Sequence, residues 1–141
     1  MLRIQYASLA LDEVAGIYDM DHSKLNVKFK GISSFGKESL YAAIEEESKP
    51  DLLDLYEVVK TVFNSYGIPT WTWFSQFQPH MTLAYLEPNE QKTLGPKWDK
   101  LKNASFEFGI ESVKSIQLCN ITIDGSIHDY KILFDAELFS K

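Results

Sequence analysis

The chain has a single cysteine, Cys119, among 141 residues. One thiol excludes an internal disulfide and any cysteine-based metal site. It fits a reducing compartment, so a cytoplasmic location is expected. No apolar run approaches the roughly 18 residues of a membrane span. The N-terminus lacks the basic-then-apolar pattern of a signal peptide, and no membrane partner is expected. Basic residues are also scarce: 14 Lys and Arg face 20 Asp and Glu, a net charge of −6. That argues against a duplex-DNA binder working by phosphate neutralisation, while leaving room for a local basic groove. There is no low-complexity segment and no internal linker. Apolar residues make up 45% of the chain and aromatic residues 13%, ample for a core. The natural reading is one monomeric domain over residues 1–141.

The pattern is of short strands around one good helix. Leu2 to Leu11 reads as a strand, followed by a turn or short helix near Asp12 to Tyr18. Leu25 to Ile32 alternates, with Leu25, Val27 and Phe29 on one face and Asn26, Lys28 and Lys30 on the other. Residues 33–37 read as a turn, Ser39 to Ile44 as a strand, and residues 45–49 as a charged, solvated loop. Pro50 suits the first turn of a helix. Leu52, Leu55, Tyr56, Val59, Val62, Phe63 and Tyr66 follow at helical spacing, and Gly67 ends the run. Ile68 to Phe77 is aromatic and extended. Residues 87–104 read as a polar connection, broken by Pro88 and Gly95-Pro96. Phe106, Phe108 and Ile110 alternate, as do Ile116 and Leu118. Asp124-Gly125 turns the chain into a last strand, Tyr130 to Phe139.

The most informative stretch is Gln78-Pro79-His80-Met81-Thr82-Leu83-Ala84-Tyr85-Leu86. In an extended strand, alternate side chains share a face. His80 and Thr82 would point one way, with Met81, Leu83 and Tyr85 on the other. A titratable ring beside a hydroxyl can hold a phosphate and move a proton. The plain alternative is a histidine at a strand start bonding only to backbone. Lys28 and Lys30 share a strand face and could rim an anionic groove, or be an ordinary solvated face. Trp71, Trp73, Ser75 and Phe77 alternate; their rings could stack on bases, with Trp73 the candidate, or form core. Tyr85, offset by one from His80, reads as packed rather than catalytic. His22 and His128 lie in or beside polar turns and read as surface residues.

Phe77-Gln78-Pro79-His80-Met81-Thr82-Leu83 resembles the second signature of the 2H phosphoesterases. That family has two similar lobes, each giving a His-x-Thr/Ser strand to a central groove. Phe29-Lys30-Gly31-Ile32-Ser33-Ser34-Phe35-Gly36, then a strand and a helix before the motif, is similar to its eukaryotic and viral branch. That branch includes a nucleotide-binding domain of an anchoring protein and viral 2′,5′-phosphodiesterases of coronaviruses, toroviruses and rotavirus. The resemblance covers residues 25–86 well and 105–139 more weakly. It implies an α+β fold of two-lobed antiparallel sheets, helices outside and a groove between. It further implies catalytic roles for His80 and Thr82, and chemistry without a metal or other cofactor.

One departure matters. The first His-x-Thr/Ser motif is not found. Laying the motif strand over the N-terminal strand without gaps sets Arg3 and Gln5 where the first His and Thr belong. Alternatively, the chain starts inside the first lobe and the segment bearing that motif has been cut off. Arg3 could still clamp phosphoryl oxygens, because guanidinium is a bidentate partner. It cannot move a proton near neutral pH. In intact members one imidazole takes a proton from the attacking hydroxyl and the other protonates the leaving oxygen. Each such group contributes roughly 10²–10⁴-fold, so a chain with one should be slow by about that factor.

The resemblance therefore implies a weakened phosphodiesterase. Its substrate would be RNA or 2′,5′-oligoadenylate, whose removal blunts an antiviral nuclease. The alternative is a catalytically degenerate module that holds a nucleotide or a short single-stranded RNA. A purely structural domain is the third option.

Overall fold

The computed structural model describes residues 2–70, 76–125 and 127–140. Its first element is a helix, α1, over Leu2–Asp21. The strand expected over Leu2 to Leu11 is thus replaced by helix. The reason lies in the spacing of the buried residues: Ala7, Ala10, Leu11, Val14, Ala15 and Tyr18 form one stripe at intervals of three and four. Exposed Leu2, Ile4, Tyr6 and Leu9 blur that stripe in the sequence. The small residues Ala10 and Ala15 let α1 approach its neighbours closely, and its main partner is the second helix.

Strand β1 runs Asn26–Phe35 and β2 runs Ser39–Ile44. The expected turn at 33–37 begins later, because β1 continues to Phe35. A bulge interrupts their pairing between Phe29 and Ile32, where Gly31 takes φ +85°. A residue with a Cβ is rarely found there, so glycine suits the bulge. A 3₁₀ turn, Glu46–Ser48, replaces the expected charged loop and leads into α2, Lys49–Ser65. Pro50 sits in the first turn of α2, as its fixed φ allows. Gly67, at φ +72°, follows its C-terminal end. The Tyr66 hydroxyl donates to Glu13 Oε2 at 2.7 Å, tying the end of α2 to α1.

Strand β3, Met81–Tyr85, is followed by α3, Pro88–Asn103. Residues 87–104 are therefore helical rather than a polar connection. Pro88 takes an N-terminal position, and the Glu90 carboxylate accepts from the Glu87 backbone N–H at 3.0 Å. Lys100 and Lys102 favour the C-terminal turn, and Trp98 is buried. The helix runs through Pro96, which removes one backbone donor.

Strands β4 (Glu107–Ser112), β5 (Ser115–Asp124) and β6 (Ile127–Glu137) complete the chain. The antiparallel α+β architecture expected from the sequence is present. One sheet has the order β3-β2-β1-β4, and β5 and β6 form a separate two-stranded ribbon. The core joins the α1 stripe, Leu55, Val62 and Phe63 of α2, and Val27 and Ile44 of the sheet. Ala136 and Leu138, at the base of the ribbon, complete it.

Candidate functional site

Strand pairing fixes which side chains share the face of the sheet that carries the motif. Phe29 pairs with Ile44 and Ile32 with Ala42, so these face the core with Val27. Ser33, Phe35, Tyr41 and Ser39 then share the other face. Tyr41 pairs with Thr82, which places Thr82 on that face, and His80 lies there by alternation. The side-by-side placement expected for His80 and Thr82 is what the register gives.

His80 is exposed and sits just before β3. Its ring meets Phe35 edge-on at 4.8 Å and Tyr41 at 5.4 Å, and Phe35 and Tyr41 stack on each other at 4.5 Å. The Nδ1 atom lies 2.7 Å from the Gln78 carbonyl oxygen. A carbonyl only accepts, so Nδ1 carries the proton and donates. Nε2 is then left as the lone pair of the neutral ring, the form a general base needs. Residues 77–80 also border an apolar cavity of about 400 Å³ lined by Val27, Phe29, Ile44 and Leu52.

Lys28 falls on the same sheet face as Thr82 by alternation along β1, and Lys30, inside the bulge, reaches the same Glu107 carboxylate as Lys28. Both are already ion-paired. Lys28 Nζ lies 3.6 Å from Glu45 and 3.9 Å from Glu107, and Lys30 Nζ lies 3.7 Å from Glu107. Exposed pairs of this kind contribute about 0–1 kcal/mol, so an anionic ligand could exchange for the carboxylates at little cost. The rim is nonetheless neutral as built: two lysines face two glutamates.

Arg3 stands elsewhere. It is exposed in the first turn of α1, so the strand register that set it opposite the motif does not exist. Trp73 lies outside the described residues. Phe77, from the same aromatic run, stacks on Tyr56 of α2 at 4.4 Å, a packing role.

Tyr85 is the position where strand alternation misleads. Ser39 pairs with Tyr85 and Tyr41 with Thr82, so β3 carries one extra residue between them. This bulge returns Tyr85 to the Thr82 face. There its ring stacks on His128 of β6 at 3.6 Å and 10°. Tyr130 shares a hydrogen bond with Tyr85; partial burial and then that bond hold the Tyr130 phenol above its usual range. The ribbon and the sheet thus meet on the motif's face. Phe35, Tyr41, Tyr85 and His128 were not legible as site residues, because strands far apart in sequence bring them together.

His128 meets the motif's face at the Tyr85 end of β3, away from its His80 end. Tyr85 lies five residues beyond His80, about 15–17 Å along an extended strand. His22 sits at the far end of α1, beside α2. Among the described residues, the one His/Asp/Glu group suited to a metal is His22, Asp51 and Asp54, and it does not include the motif.

The family described as the AKAP7 2′5′ RNA ligase-like domain matches residues 3–138. The chain belongs to that family, within the 2H phosphoesterase superfamily. Among solved structures, the fold is similar to that of TT0787 of Thermus thermophilus. The TM-score is 0.57 at 19% identity, over 94% of this chain and 69% of that one. At that identity the likeness concerns the fold alone. No curated protein sequence matches.

Proposed function

We propose that this chain supplies the His80–Thr82 half of a 2H phosphodiesterase site acting on 2′,5′-oligoadenylate or short single-stranded RNA, slowly where water stands in for a second imidazole. The observation that carries this reading is the His80 ring. Its Nδ1 is held by the Gln78 carbonyl, and its other nitrogen is unencumbered on the face that bears Thr82. Thr82 would donate its hydroxyl to a phosphoryl oxygen. Nε2 would take the proton of the attacking hydroxyl, and water would protonate the leaving oxygen. Lys28 and Lys30, released from Glu45 and Glu107, would offset the charge of the phosphodiester. Tyr41 would present aromatic surface beside the phosphate position, where a base could stack. Turnover of 2′,5′-oligoadenylate would deprive an antiviral nuclease of its activator.

A binding module is the second reading, favoured by the lack of a second imidazole near His80 among the described residues. Rates on 2′,5′- and 3′,5′-linked oligoadenylate, with affinities from calorimetry, separate the two. We expect slow wild-type cleavage that falls to background in His80→Ala. Thr82→Val should weaken binding about tenfold, the value of one hydrogen bond to a charged oxygen. Binding without turnover supports the module. Robust cleavage that survives His80→Ala overturns the mechanism.

A further inference from the structure

Where the end of α1 meets the start of α2, three side chains converge that the phosphodiester reading does not use. His22 Nδ1 lies 3.2 Å from the Tyr18 carbonyl oxygen, so this nitrogen also carries a proton and donates. The ring lies flat on Tyr18, centroids 3.9 Å apart and planes 9° apart. Tyr18 is itself fixed: its side chain is buried and its hydroxyl donates to the Asp51 carbonyl at 3.1 Å. The orientation of His22 is therefore set by two contacts, and it aims Nε2 at Asp54, 3.5 Å from Oδ2. The Asp51 carboxylate completes the group, with one donor atom from each residue within 4.8 Å of the others. Asp51 and Asp54 are three residues apart in α2 and so lie on one helix face.

This arrangement is awkward for a neutral ring. With the proton on Nδ1, the Nε2 lone pair faces a carboxylate with no hydrogen between them. Adding a second proton gives an ion pair, but 3.5 Å exceeds the 2.7–2.9 Å of a charge-assisted hydrogen bond. A bound cation fits the His22–Asp54 spacing better. Ligands about 2.0–2.1 Å from a tetrahedral Zn²⁺ lie about 3.3–3.4 Å apart. The donation from Nδ1–H to a backbone carbonyl is the outer contact that orients metal-binding histidines. We propose that His22, Asp51 and Asp54 form a zinc-type site, with water as the fourth ligand, that pins the end of α1 to the start of α2. Imidazole with only two carboxylates disfavours Ca²⁺, which takes six to eight oxygens.

The test uses the chelator-treated full chain at pH 7, titrated with ZnCl₂ by calorimetry and by NMR of the histidine rings. We expect one Zn²⁺ per chain, shifts confined to the His22 ring with His80 and His128 unmoved, and a melting temperature that rises with Zn²⁺. His22→Gln and Asp54→Asn should each weaken binding at least about a hundredfold, the upper range for loss of an orienting contact alone. Asp54 is exposed, so its variant keeps the test valid if His22→Gln folds poorly. Absence of binding up to millimolar ZnCl₂ would mean a plain ion pair and overturn the proposal. So would binding that persists unchanged in both variants, or that shifts His80 or His128 instead.

Discussion

His22 and His80 each commit Nδ1 to a backbone carbonyl, and the difference between them is what Nε2 then meets. At His80 it is the open motif face; at His22 it is a carboxylate. The residue that orients His22, Tyr18, also carries a titration signature. Burial, then the charges of Asp51 and Asp54, raise its phenol to about 12 from an ordinary 10.0. Between those values the unfolded chain releases the Tyr18 proton while the folded chain keeps it. The contribution of Tyr18 is thus complete below pH 10 and is lost as pH rises toward 12. Urea titrations from about pH 9 to 12 should show wild-type stability falling more steeply than that of Tyr18→Phe. Equal slopes would mean that Tyr18 is not held neutral. At this scale His80 and Thr82 were legible because one short strand contains both. Phe35 and Tyr41 were not, because β1 and β2 deliver them from far upstream in the chain.

Helix α1 offers the sharpest contrast between pattern and outcome. In a strand, Leu9 and Leu11 would share a face and respond alike to truncation. In the helix, Leu11 is buried and Leu9 is 57% exposed. Leu11→Ala should cost about 2–5 kcal/mol. Leu9→Ala should stay within about 0.5 kcal/mol. Urea unfolding of the two variants checks this, and equal losses would contradict the helix. The α1 stripe was present in the sequence but hidden by apolar residues on the outer face, which flatten the periodicity. Helix α3 was hidden differently: Gly95-Pro96 reads as a break, yet the Glu87–Glu90 cap and buried Trp98 carry the helix through it. Helix α2 was plain because its stripe, its early proline and its closing glycine all agree. The β3 bulge had no local signal, since only the partner strand reveals an extra residue.

Taken as a whole, the molecule is a helix-backed sheet with a ribbon that packs on α1 and meets the sheet at its tip. The ribbon's base is sunk in the core through Ala136 and Leu138, while its tip touches β3 through His128 and the start of α3 through Gly125. Gly125 has φ +60°, and a Cβ there would lie 2.8 Å from Glu87 Oε1. Gly125→Ala should therefore loosen the tip by about 1–2 kcal/mol, roughly 5–30-fold in its opening equilibrium. Amide hydrogen exchange should quicken in residues 121–130 and stay unchanged in α1 and α2. Uniform acceleration would mean that the ribbon does not open on its own. The register shift between Leu118 and Cys119 gives the ribbon a further property. It is a fulcrum. From Cys119 to the tip at Asp124 the arm is about 17 Å long, so a swing of about 5° there displaces the tip by about 1.5 Å. That would separate a pair of rings stacked at 3.6 Å, so a small rotation at the bulge would be amplified into loss of the Tyr85–His128 stack.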